Sequence, residues 1–213
     1  MENEKTHFVL RSRTNAMASG IAWLLLLLPL SVWFSLPVET GGETWLIQRL
    51  LSLAILVFTP LALSLTATPN DDGTHVWPYR AAIQFHPFAV MLVVVSLYSR
   101  TGLMAAALTG GWILLTGLLA LFGLWRLWRR WKLFGSILPM EELCIDAGLI
   151  YIVVGSGWLF LSRAGMNPMN FSDTIVLLTA VHFHYAGFAA PILTGLAGRK
   201  IKTGIARKFY LVA

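Results

Sequence analysis

Four ionisable side chains stand inside apolar stretches: Glu142, Asp146, His182 and His184. Such groups are costly inside a membrane, usually face a bundle interior, and mark a functional site by default. Glu142 and Asp146 are four apart, which puts them on one face of a helix. Glu141 points about 100° away and belongs to the helix start, where the dipole favours a carboxylate. Asp146 lies about seven residues in, roughly 10 Å deep, where a charge needs a partner or a polar cavity. His182 and His184 are two apart, hence about 200° from one another on a helix, so one faces the core and the other a neighbouring helix or lipid. Tyr185 shares a face with His182, and Pro191 cannot donate to the carbonyl of Gly187, which loosens the helix just past the histidines. The chemistry these types suggest is proton transfer: Asp146 or Glu142 as acid, a histidine as base, with Gln84, His86, Tyr151 and Tyr185 lining a substrate pocket. The plainer reading of the amide, His86 and the tyrosines is hydrogen bonding between helices with no chemistry.

Other chemistries find less support. A His-x-His pair on one helix cannot close on a metal, and the chain has one cysteine, Cys144. No metal site and no cofactor is expected, although His86 with a later histidine keeps a haem or metal site as an alternative. There is no Gly-rich phosphate loop, no G-x-S-x-G elbow and no H-E-x-x-H.

The elements that must position these residues follow from composition. Of 213 residues, 57% are hydrophobic and 12% charged, against about 45–50% and about 25% in a soluble domain. The expected fold is all-α: a polytopic transmembrane helix bundle forming one domain over residues 1–213. Spans are expected at about 16–36, 44–65, 79–98, 103–124, 139–161 and 171–194, each near the roughly 20 residues that cross a hydrocarbon core. The first is too long for a cleaved signal segment and is read as a retained helix. Pro29 and Pro60 predict kinks in the first two spans. The tail after Gly198 is basic and too short for a seventh span, so it is expected at the interface; seven spans would follow if it were the remnant of a longer chain.

Charge placement sets the expected orientation. With the N-terminus inside, thirteen of the 16 Lys and Arg residues fall on inner segments, and only Arg49, Arg100 and Arg163 fall outside. That bias predicts both termini in the cytoplasm and a multi-pass protein of the cell membrane. The net charge of +6 is explained by topology and by attraction to membrane lipids, so no nucleic-acid partner is expected. QFHPF and HFHYAGF are too slight a match to establish an internal repeat.

Three segments, WPYRAAIQFHPFAV, MEELCIDAGLIYIVVGSGWLF and LTAVHFHYAGFAAPILTG, together resemble the YndJ-like integral membrane family. The resemblance covers Trp77 to Gly198. It implies a polytopic fold and marks the acidic and histidine segments as the family's signature; members are longer, and labels lean toward transport. It supplies no reaction.

The leading expectation is therefore a membrane-embedded enzyme doing cofactor-independent acid–base chemistry on a lipophilic small molecule: isomerisation, cyclisation or hydrolysis, for example epoxide opening. The alternatives are a proton-coupled transporter, in which the same groups form a relay, and a haem- or metal-binding membrane protein.

Overall fold

The computed structural model describes residues 29–36, 43–67, 75–134 and 139–201, with Gly204, Arg207 and Tyr210 of the tail. The N-terminal part of the first expected span, the loop after Leu36, the Asn-Asp-Asp-Gly turn and most of the tail lie outside the described residues. Within them every regular element is a helix.

Helix α1 is seen at residues 29–35. Helix α2 runs through Glu43–Leu53, a π segment Ala54–Phe58 and Thr59–Thr66; α3 is Trp77–Leu97, α4 Leu103–Phe134 and α5 Met140–Arg163. Helix α6 joins Asp173–His182, a second π segment Phe183–Ala189 and Ala190–Lys200. Helices α2 to α6 are each long and apolar enough to cross a membrane. Helix α4 continues through the basic aromatic segment Arg126–Lys132 rather than ending near Leu124, so those side chains carry helical periodicity.

Helix α4 packs against α3 and α5, α5 packs along the whole of α6, and α2 meets α6. The centre is filled by Trp112, Leu115, Leu119 and Phe122 of α4, Leu149 and Ile152 of α5, and Phe188 of α6, all fully buried. The α4 residues recur at steps of three and four, which keeps one stripe of the helix facing inward. At the far end of α5, Gly165 has φ +69° and closes the helix: its N–H donates to Ser162 O (3.1 Å) and that of Met166 to Leu161 O (2.9 Å). This paired closure needs a left-handed residue, which glycine adopts without a Cβ clash.

Both π segments precede a proline by one intervening residue: Phe58-Thr59-Pro60 and Ala189-Ala190-Pro191. Proline supplies no N–H and its ring crowds the carbonyl four residues back. Widening the preceding turn relieves this by moving donors to the carbonyl five back, as Thr59 N–H does to Ala54 O and Ala190 N–H to Tyr185 O. The two widened turns touch: the Tyr185 ring meets Phe58 edge-on at 5.5 Å, and its hydroxyl donates to Leu50 O at 2.9 Å.

Candidate functional site

The stripe that fills the core of α4 continues past Phe122 at a step of four to Arg126 and Arg130. Those two therefore point into the bundle, toward the start of α5. Asp146 and Glu142 point back at them one turn apart. Arg126 is 1% exposed and Asp146 is 1% exposed. Arg126 Nε donates to Asp146 Oδ1 at 2.8 Å, its Nη2 to Glu142 Oε2 at 2.8 Å, and its Nη1 to the carbonyl of Thr66 at 2.7 Å. Arg130 Nη2 pairs with Asp146 Oδ2, and its Nη1 with Glu142 Oε2 at 3.1 Å.

Helix α6 completes the cluster from its last turn. Arg199 grips both oxygens of Glu142, Nε to Oε1 at 2.6 Å and Nη2 to Oε2 at 2.9 Å, and its Nη1 reaches Leu65 O at 3.4 Å. Glu142 thus accepts from three guanidinium groups and Asp146 from two. Two of the arginines also satisfy carbonyls at the C-terminal end of α2, where a helix leaves acceptors open and the dipole favours cations. The cluster ties four helices together at one end of the bundle. Among the described residues it joins three arginines to two carboxylates, and it opens outward: the side chains of Arg130, Glu142 and Arg199 keep 13%, 18% and 32% of their surface exposed. Beside it, Arg207 pairs with Glu141 at 3.1 Å.

The other expected site residues lie elsewhere. His184 is fully buried within the π segment of α6; Trp112 Nε1 donates to its Nε2 at 3.1 Å, and its Nδ1 lies 2.8 Å from Ala180 O. It packs on Gly155, nine residues along α5 from Asp146, hence about 13 Å away along the helix axis. Near the same level Thr116 Oγ1 donates to Ser156 Oγ at 2.7 Å. His182 faces outward, as does Tyr151, which is half exposed. Gln84 lies on the outward face of α3, opposite the stripe of Tyr79, Ala82, Ala89 and Val93 that packs inward. His86 is partly buried, with an Nε2 that finds no acceptor or donor among the described residues. The structure therefore brings together Glu142 and Asp146, and sets both apart from His184.

Sequence reasoning passed over Arg126, Arg130 and Arg199, which it counted only as topological charges. The signal was present: the step of three and four that fills the α4 core runs on into both α4 arginines once the helix is extended past Leu124.

A comparison with known families decides what kind of membrane protein carries this bundle: the YndJ-like protein family matches over residues 49–213. The chain belongs to that family. A relative from Bacillus subtilis (strain 168), named "Uncharacterized membrane protein YndJ", is 34% identical over 155 residues. That alignment covers 73% of this chain and 27% of the relative, so the chain spans about a quarter of the length of the family member it matches. No solved structure matches. The matched residues of the family include all five members of the ion cluster and His184.

Proposed function

We propose that this membrane protein is a cofactor-independent proton-transfer enzyme for a lipophilic small molecule, with the ion cluster as its centre. The observation that carries the reading is Glu142, a carboxylate oriented by three guanidinium groups and still open at the end of the bundle. A carboxylate so held is a proton acceptor in a fixed position. The guanidinium groups beside it are donors that can hold an oxygen anion as it develops on a substrate. Removal of a proton next to a carbonyl and its return at another carbon is an isomerisation. Among the reactions considered from sequence, this one asks least of the site, because cyclisation and epoxide opening need a proton donor at the start.

The roles shift accordingly. Asp146, enclosed between Arg126 and Arg130, acts as a positioning residue that sets those two guanidinium groups. His184, about 13 Å away along α5, and Tyr185, bonded to Leu50 O, hold α4, α2 and α6 in register. Proton-coupled transport remains the second reading because of one specific feature: the facing π segments of α2 and α6, a geometry that recurs at functional sites and eases bending. For either reading we infer a cell-membrane location with both termini cytoplasmic, from the basic bias of the inner segments.

The test is isotope exchange. The purified protein in neutral detergent is incubated in D2O with a lipid extract of its native membrane, and lipophilic components are scanned by mass spectrometry. The expected result is deuterium in at least one component with the wild type and none above background with Glu142→Gln. Identical patterns from the two proteins would overturn the proposal.

A further inference from the structure

We propose that two copies of this chain pair in the membrane through the outward face of α3, with Gln84 hydrogen-bonded to its counterpart across a two-fold axis. Such pairing is independent of the chemistry at the ion cluster.

Helix α3 is the least enclosed of the five helices able to cross. It packs chiefly on α4, and 28% of its apolar stretch is buried, against 39% or more in the other four. The face left open carries Gln84, Phe88, Met91 and Val95, all exposed. Their steps of four, three and four keep one seam on the helix, the spacing that lets two helices run side by side in a left-handed pair. Acyl chains suit Phe88, Met91 and Val95. They do not suit Gln84, which stands seven residues past Trp77, about 10 Å along the axis and further than its side chain reaches toward the headgroups. Its amide has no hydrogen-bond partner among the described residues. Pro87 adds to the mismatch. It cannot donate to the carbonyl of Ile83, and Ile83 and Pro87 are both exposed. Donors and an acceptor thus face lipid at one level, where hydrocarbon satisfies neither.

Whatever covers this face must bring hydrogen-bonding groups to that depth. A second copy does so by symmetry. Copies inserted in the same sense can be related by a two-fold axis along the membrane normal, which sets each seam residue opposite itself at equal depth. A primary amide is self-complementary, with two donors and an acceptor, so two Gln84 side chains can bond one another. The N–H groups left over suit the open Ile83 carbonyls. Arg80 is the one residue of the seam that would meet its counterpart unfavourably. It lies one turn nearer Trp77, where a long side chain turns away toward water and headgroups. Helix α3 carries no other Lys, Arg, Asp or Glu.

The experiment reads association in a bilayer. Purified protein bearing one dye per chain is reconstituted in phosphatidylcholine vesicles over a range of dilutions, and single-molecule photobleaching counts copies per spot. The expected result is a two-copy species whose dissociation constant rises about tenfold or more in Gln84→Leu and less in Gln84→Asn, which keeps an amide. Both variants should keep the wild-type helical circular dichroism, because the amide bonds nothing within its own bundle. Gln84→Cys and Met91→Cys, each in a Cys144→Ser background, should cross-link to dimers with copper phenanthroline. Leu114→Cys in that background, exposed on α4, should not. A monomer at every dilution sinks the proposal. So does a dimer that Gln84→Leu leaves intact, which puts the contact on another face, or equal cross-linking at Leu114, which reduces the contact to random collision.

Discussion

Asp146 and Arg126 illustrate how much one pair can decide inside a bundle. Both are almost wholly buried and each satisfies the other at 2.8 Å. Breaking a buried ion pair from one side leaves a charge without a counterion, at a cost of about 3–5 kcal/mol. Asp146→Asn should therefore lower the unfolding midpoint sharply in detergent, whereas Arg126→Met with Asp146→Leu should lose less than the two single changes together. A double-mutant cycle read by thermal unfolding checks this; full additivity would mean the pair is not coupled. The histidines give a second contrast. His184→Ala removes the acceptor of a buried Trp112 N–H and should cost about 1–3 kcal/mol, while His182→Ala on the outward face should fall within about 0.5 kcal/mol. At this scale the sequence disclosed that Asp146 needed a partner, because its depth follows from counting residues. It did not disclose the partner, because an arginine at the end of an apolar run reads as an interface charge until the helix is known to continue.

Among the elements, glycines decide how closely α5 can approach its neighbours. A Cβ at Gly148 would lie 2.7 Å from Ile192 Cγ1 and 2.9 Å from Phe188 O, and the second of these is backbone that cannot swing aside. Gly148→Ala should separate α5 from α6 and cost about 1–3 kcal/mol. Gly157, on the same helix, has nothing within 4 Å of such a Cβ. Gly157→Ala should be neutral or stabilise by up to about 1 kcal/mol through helix propensity. Thermal unfolding of both variants in one detergent compares them directly, and equal losses would contradict the packing described. The two glycines look alike in the sequence, since spacing alone does not say which face a neighbour occupies. Helices α2, α3 and α5 were legible from hydropathy to within about two residues of their ends, whereas α6 runs on to Lys200, past the expected end at 194, and so carries Arg199. The run to Phe134 in α4 was not, because charged residues end a hydropathy window while leaving the inward stripe intact. Pro60 and Pro191 announced a disturbance in α2 and α6; that it takes the form of two widened turns in mutual contact depends on how the helices pack.

For the molecule as a whole, the open question is parity. Thirteen Lys and Arg residues fall on segments assigned to the inside and three on those assigned outside, provided residues 16–36 form a crossing helix. The rule counts basic residues and gives acidic ones little weight, so the ion pairs of Arg126, Arg130 and Arg199 do not cancel their influence. Five described helices can cross, and α1 enters the described region only at residue 29. Six crossings put both termini on one side; five put them on opposite sides. Trp33 Nε1 donates to Arg49 O at 2.9 Å, and Arg49 Nη1 reaches Leu36 O at 3.1 Å, so the end of α1 is fastened near the start of α2. If the expected span 16–36 crosses, the chain enters it at the opposite end of the bundle, the end that holds the ion cluster. The expected outcome is cytoplasmic placement of both termini: green fluorescent protein fused at either end should fluoresce, and alkaline phosphatase at either end should stay inactive. Active phosphatase at the N-terminus alone would mean that residues 16–36 do not cross. Active phosphatase at the C-terminus would place the ion cluster on the outer face.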